Sequence, residues 1–310
     1  RAVPYIIVVL EDIVMANVTQ TQRERSFEKE DEFILLPIAP PVEKLRSIEL
    51  KDGDIFIASW PKSGTTWTQA IIAHLIASDR STWNHASEIT PFFDVQSSWQ
   101  EIDNRLEPAA NIQNFFQKRG RRAWNTHMLW SLIPKSSVAK YIYLIRDQRD
   151  AVLSFWYHLR NQRGAGGDYQ GTADEFAIEA SRGKLPYSSW ARHVADWSKA
   201  ISDERVLFIR YENLKSDLSG CIHKIANHIG VTTVDPNIVA KYTSFEAMRA
   251  DCSRYEPISV NWESGFQFFR RGRTGDGATA FSSTGNEALQ ADATKYLSQL
   301  PESTRLDLDV

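Results

Sequence analysis

Sulfur is scarce in this 310-residue chain, which has two cysteines, Cys221 and Cys252, and three methionines. Two thiols cannot build a disulfide framework, so a small secreted scaffold stapled by several bridges is excluded. A reducing compartment is the simpler setting, and a cytoplasmic location is expected. Excess positive charge is also missing: 36 basic against 39 acidic residues leave a net charge of −3. No global basic field exists to hold nucleic acid or an anionic membrane, so neither is expected as a partner and any anion site must be local. No apolar run approaches the roughly 20 residues that span a bilayer. No internal repeat is found, and 15 glycines and 12 prolines exclude a collagen-like or low-complexity chain. No metal-ligand cluster stands out, since His223 and His228 are five apart and share no helix face, so no metal is expected.

Aromatic residues are plentiful, with ten tryptophans and fifteen phenylalanines, which suits either a large core or an aromatic-lined pocket. Residues 1–44 read as an N-terminal extension, poorly ordered at least in part. It begins at Arg1, with Met15 an alternative start, and carries a charged run at 23–32. Its apolar stretch near 3–14 is interrupted by Glu11 and Asp12 and lacks a basic leader, which argues against a signal peptide. Pro37, Pro40 and Pro41 mark an extended entry to the domain at 45–310.

From residue 54 apolar strands alternate with helical patterns. Strands are expected at 54–59, 122–126, 140–146 and 206–209, and helices at 67–78, 149–160, 173–181, 188–201 and through Ile222, Ile225 and Ile229. That order predicts an α/β fold, a single domain with a central parallel sheet flanked by helices. Ligands in such sheets lie beyond the carboxyl ends of the strands. Three expected strands end in polar turns there: Trp60–Thr66, Thr126-His127 and Arg146–Arg149.

The first turn is Trp60-Pro61-Lys62-Ser63-Gly64-Thr65-Thr66-Trp67. A strand, a tight turn and a helix start present free N–H groups at the positive end of a helix, which suits a phosphate. Lys62 adds charge and Thr65 and Thr66 add hydroxyls; the other reading is a helix merely capped by Thr65. It is not a Walker A loop, whose lysine follows the last glycine, whereas Lys62 precedes Gly64; a kinase is disfavoured.

This octet resembles the 5′-phosphosulfate loop of the cytosolic sulfotransferases, and further family blocks follow in order over roughly residues 45–300. Thr126-His127 matches the catalytic Thr-His. Tyr143–His158, containing Arg146 and Ser154, resembles the 3′-phosphate strand and helix. Tyr187-Ser188-Ser189-Trp190 and Arg210–Lys215 match two more blocks, and Arg270-Arg271-Gly272 the C-terminal clamp. The resemblance implies a P-loop-like strand-loop-helix for the phosphosulfate and 3′-phosphoadenosine 5′-phosphosulfate (PAPS) as donor, with adenosine 3′,5′-bisphosphate (PAP) as product.

By the same resemblance the nucleotide is held by Lys62, Ser63, Gly64, Thr65, Thr66, Trp67, Arg146, Ser154, Tyr211, Thr243, Phe245, Arg270, Arg271 and Gly272, with Trp67 and Phe245 enclosing adenine. His127 is the implied general base, Lys62 the group that neutralises the leaving oxygen, and Ser154 the residue that holds Lys62 back. The implied activity is sulfuryl transfer to a hydroxyl or amine of a small, apolar or aromatic acceptor. The alternative is a weak or inactive bisphosphate-binding homologue, favoured by Asn125 where the family has lysine.

Pro91, Phe92, Phe93, Trp99, Met128, Trp130, Phe155 and Trp156 are candidate acceptor-pocket residues, although Trp83 and Trp99 suit a core equally well. Gly277-Ala278 stands where the family has Trp-Lys, which puts the order of the closing loop in doubt. The dimerisation motif is reduced to Ala278, Ser282-Ser283 and Glu287, so the family-type homodimer lacks its signature.

Overall fold

The computed structural model describes residues 33–310, apart from 165, 166 and 259. The expectations for residues 1–32, including the Met15 start and the charged run, lie outside the described residues. Phe33–Val310 forms one compact unit. Residues 33–44 contribute to it: the Ile34 carbonyl accepts from Tyr187 N–H and the Ile38 carbonyl from Gln96 N–H. A short helix, Val42–Arg46, buries Leu45.

The strands in chain order are β1 Ile55–Ser59, β2 Trp99–Ile102, β3 Arg105–Pro108, β4 Ala123–Thr126, β5 Lys140–Ile145, β6 Gln162–Arg163, β7 Val206–Arg210 and β8 Asn261–Trp262. The central sheet runs β4-β1-β5-β7 and every pairing is parallel. Its strands are apolar almost throughout because helices cover both faces. Side chains alternate between two cores: Phe56, Ala58, Tyr141, Tyr143 and Ile145 face one, and Ile55, Ile57, Ile142 and Leu144 the other.

Every expected central strand is present to within one residue, and the helices form close to where periodicity placed them. The expected 188–201 helix is shorter, Trp190–Ser198, because the Ser189 hydroxyl caps it by accepting from Arg192 N–H and Ser188 is left-handed, at φ 68°. The β2–β3 hairpin was missed. Its signal was the dipeptide Asp103-Asn104, whose φ values of 49° and 62° suit a two-residue turn between antiparallel strands.

From β1 the chain crosses to β4 on one side and returns to β5 on the other. The loops after β1 and β5 therefore diverge, leaving the crevice where ligands bind in open α/β sheets. Among the described residues no helix is long and apolar enough to cross a membrane.

Candidate active site

Four sheet strands deliver one candidate residue each at their carboxyl ends: Lys62 after β1, His127 after β4, Arg146 after β5 and Tyr211 after β7. The loop after β1 is tight, with Lys62 at φ 64° and Gly64 at φ 116°. A Cβ on Gly64 would sit 3.1 Å from the Tyr211 ring, so glycine suits the close approach as well as the left-handed turn. Gly64 is the N-cap of the helix Thr65–Ile76, and no side chain caps that end. Thr65 does not act as the cap, since its hydroxyl pairs with the Ser59 hydroxyl at 2.7 Å. The first N–H groups are left for an anion. The Ser63 hydroxyl in the loop and Arg146 Nε are buried without hydrogen-bond partners. Such groups are costly unless a ligand pairs with them, so this cradle fits a phosphosulfate.

Arg146 spans the crevice. Its Nη1 donates to the Lys62 carbonyl at 3.0 Å and its Nη2 to the Arg273 carbonyl at 3.4 Å. Its guanidinium stacks 4.4 Å from the centre of the Tyr211 ring and lies 3.9 Å from Asp150. Asp150 also accepts from Gly275 N–H and Gly277 N–H, each at 2.7 Å. One buried carboxylate on the helix Gln148–Asn161 thus ties the 275–277 segment to that helix. Arg270 and Arg271 are more exposed and both pair with Asp276, at 3.3 and 3.7 Å. Gly272, at φ 60°, packs so closely that a Cβ would meet the Phe245 ring at 2.5 Å. Trp67 Nε1 donates to the Thr243 carbonyl at 2.7 Å, and its ring meets Tyr211 edge-on at 5.5 Å. Trp67, Thr243, Phe245 and Gly272 therefore link the helix after β1, the segment near 243–245 and the 270–272 turn. Among the described residues no side-chain hydrogen bond engages Thr66, which stands in the first turn of the helix after β1.

His127 is oriented by its neighbour strand. Its Nδ1–H donates to the Ser59 carbonyl at 2.7 Å, which leaves Nε2 as the unprotonated acceptor. Burial above all, with lesser contributions from His193 and Lys62, pushes its pKa down to about 3, so the ring is neutral at physiological pH. Asp94, missed by the sequence reading, holds the turn from below. It accepts from the Thr126 hydroxyl at 2.6 Å and from His127 N–H at 2.7 Å. Burial raises its pKa to about 7 despite those two bonds. His193 Nε2–H donates to the His127 carbonyl at 2.9 Å while its Nδ1 accepts from the Tyr143 hydroxyl at 2.8 Å. Phe92 and Tyr187 meet the His127 ring edge-on at 5.5 and 5.0 Å.

Lys62 departs from expectation. Among the described residues no side-chain hydrogen bond joins it to Ser154; its Nζ instead donates to His158 Nδ1 at 3.3 Å. Desolvation, aided by Arg146, lowers the lysine pKa to about 7. His158 read in the sequence as a packed or hydrogen-bonded helical residue, and nothing local marked it as facing the β1 loop.

The candidate acceptor pocket divides. Phe92 borders the site, its ring meeting His127, whereas Phe155 is buried in the core, meeting Trp60 edge-on at 5.4 Å. Phe93, Trp99, Met128 and Trp130 are core: Trp99 stacks on Trp124 at 4.7 Å and donates from Nε1 to the Phe93 carbonyl. Trp83 is also buried, in a separate cluster with Met248 and Tyr255. Trp156 turns outward, donating to the Gly171 carbonyl and lining a separate cavity of about 410 Å³ beside Arg270. Asn125 is committed too, its amide donating to the Thr90 carbonyl at 2.7 Å and pinning the segment that carries Phe92.

Residues 52–301 match the sulfotransferase domain family. Sulfotransferase 2A6 of Rattus norvegicus is 30% identical over 262 residues, covering 80% of this chain and 87% of that one. A crystal structure of mouse sulfotransferase SULT7A1 complexed with PAP is 23% identical at a TM-score of 0.63, covering 87% and 94% of the two chains. Retinol dehydratase in a complex with retinol and PAP is 21% identical at 0.65, covering 86% and 85%. The chain belongs to the sulfotransferase family. It is a PAPS-dependent sulfotransferase, with the mixed α/β fold and central parallel sheet of that family.

Proposed function

We propose that the enzyme sulfonates a hydroxyl or amine of a small apolar or aromatic acceptor, with His127 as general base. The observation that carries this reading is the Nδ1–H bond to Ser59, which leaves a neutral Nε2 lone pair beside Lys62. Bound PAPS supplies the sulfuryl group. Arg146, Ser154, Arg270, Arg271 and Gly272 hold its 3′-phosphate side, and Lys62, Ser63, Gly64, Thr65 and Thr66 receive the phosphosulfate at the free helix end. Trp67, Tyr211, Thr243 and Phe245 enclose the adenosine. His127 Nε2 takes the acceptor proton, and Lys62 offsets charge developing on the leaving oxygen.

The rings of Phe92 and Tyr187 against His127 support a flat apolar acceptor. Retinol dehydratase, similar in fold, holds an apolar alcohol together with PAP. Both cysteines are free, which supports a cytosolic setting. A panel of phenols, alcohols and amines incubated with PAPS and analysed by mass spectrometry tests the proposal. Gain of one SO₃ on an acceptor supports it. Tight bisphosphate binding without transfer to any acceptor supports instead a non-catalytic homologue.

A further inference from the structure

We infer that His158 is a positioning residue for Lys62, holding the lysine against Phe268 until the donor nucleotide takes it over. The inference rests on the sulfotransferase reading, because it concerns how that nucleotide is admitted.

Lys62 Nζ has two neighbours that matter. His158 Nδ1 is 3.3 Å away, and the centre of the Phe268 ring is 4.4 Å away. No carboxylate forms an ion pair with Lys62 among the described residues. The charged group acting on it is Arg146 beyond β5, which disfavours its charge, while the His127 ring beyond β4 is neutral. His158 is fixed for the role: a hydrogen bond to the Gln162 side chain engages one ring nitrogen, and Nδ1 is the one facing the lysine. Trp262 and Phe268 wall the ring at 5.0 and 6.3 Å.

A neutral imidazole suits a temporary partner. It accepts one hydrogen bond from the lysine without the full charge that would repel an incoming phosphosulfate, so the exchange costs one modest bond. Phe268 precedes the clamp residues Arg270 and Arg271 by two and three positions.

The test uses the full chain as wild type, His158→Phe, His158→Gln and His158→Asn. The Asn amide oxygen stands near the place of Nδ1, whereas Gln carries its polar group further out. Lysine ¹³Cε resonances of cofactor-free protein, with Lys62 assigned from Lys62→Met, give the Lys62 titration midpoint. In His158→Phe and His158→Gln the midpoint falls by about one pH unit as the acceptor is lost, and in His158→Asn it stays near wild type. Calorimetry with adenosine 3′,5′-bisphosphate shows binding about two- to tenfold tighter in the Phe and Gln variants, because the lysine no longer has to be released. An unchanged midpoint, or weaker bisphosphate binding in a Gln variant that melts like wild type, overturns the inference. If wild type binds no bisphosphate, the functional reading fails, while the lysine titration still decides the His158 contact.

Discussion

His127 Nδ1 lies 2.7 Å from the carbonyl oxygen of Ser59, the last residue of the neighbouring strand β1. One backbone carbonyl thus fixes both the tautomer and the direction of the ring. Its position is reinforced by Asp94, which accepts from the Thr126 hydroxyl and the His127 N–H.

The depressed pKa of His127 makes a direct prediction. With the folded value about 3 against the usual 6.5, the ring carries no proton in the cofactor-free enzyme across neutral and mildly acid pH. Its Cε1 resonance should show no titration between about pH 8 and 5. A midpoint near the ordinary histidine value contradicts the assigned environment. The sign for stability follows: protonation favours the unfolded chain, so this contribution is intact above about pH 6.5 and is lost as pH falls towards 3.

Asp94→Asn tests the support beneath that ring. An amide replaces one acceptor oxygen with a donor, and that group then faces either the Thr126 hydroxyl or the His127 N–H. Turnover should fall at least about tenfold with bisphosphate affinity near wild type, since the cofactor cradle lies on other strands. Equal losses in both quantities point to general unfolding instead.

Arg146→Ala should weaken adenosine 3′,5′-bisphosphate binding about ten- to a hundredfold by calorimetry, as expected for charge-assisted hydrogen bonds. The same change removes a positive neighbour from Lys62, so the lysine pKa should rise from its present value of about 7. Unchanged affinity contradicts the assignment of Arg146 to the phosphate.

Gly272→Ala probes the clamp. The residue is left-handed at φ 60° and an added Cβ would overlap the Phe245 ring. Either the clamp or Phe245 must shift. Bisphosphate affinity should drop at least about fivefold, from strain of order 1–3 kcal/mol. The melting temperature should change little, because both groups lie near the surface.

Much of this site was readable because its signals are local. Lys62-Ser63-Gly64 sits between an apolar strand and an apolar helical face, and Arg146 closes a strand of six residues that is otherwise apolar or aromatic after its first. Parallel strands buried on both faces have few other readings. Asp94, Tyr187 and His158 were different. Asp94 lies in an irregular segment 32 residues from Thr126, and only β4 beside the 91–93 segment brings them together. Tyr187 stands in a recognised block, but its ring reaches His127 through two successive left-handed residues, Tyr187 and Ser188, which no periodicity announces. The tryptophans show the converse. Trp99 and Trp156 are equally aromatic in the sequence, yet one fills the core and the other lines an outer cavity, because side-chain direction depends on packing not encoded in spacing.

The most direct measurement of the central claim is PAPS-dependent sulfuryl transfer by wild type and His127→Ala, both checked for folding and for bisphosphate binding. The account predicts that an acceptor gains one SO₃ with wild type, and that the variant loses about a hundredfold or more of the rate while binding bisphosphate normally. Equal rates for the two proteins, with binding intact in both, would contradict His127 as the base.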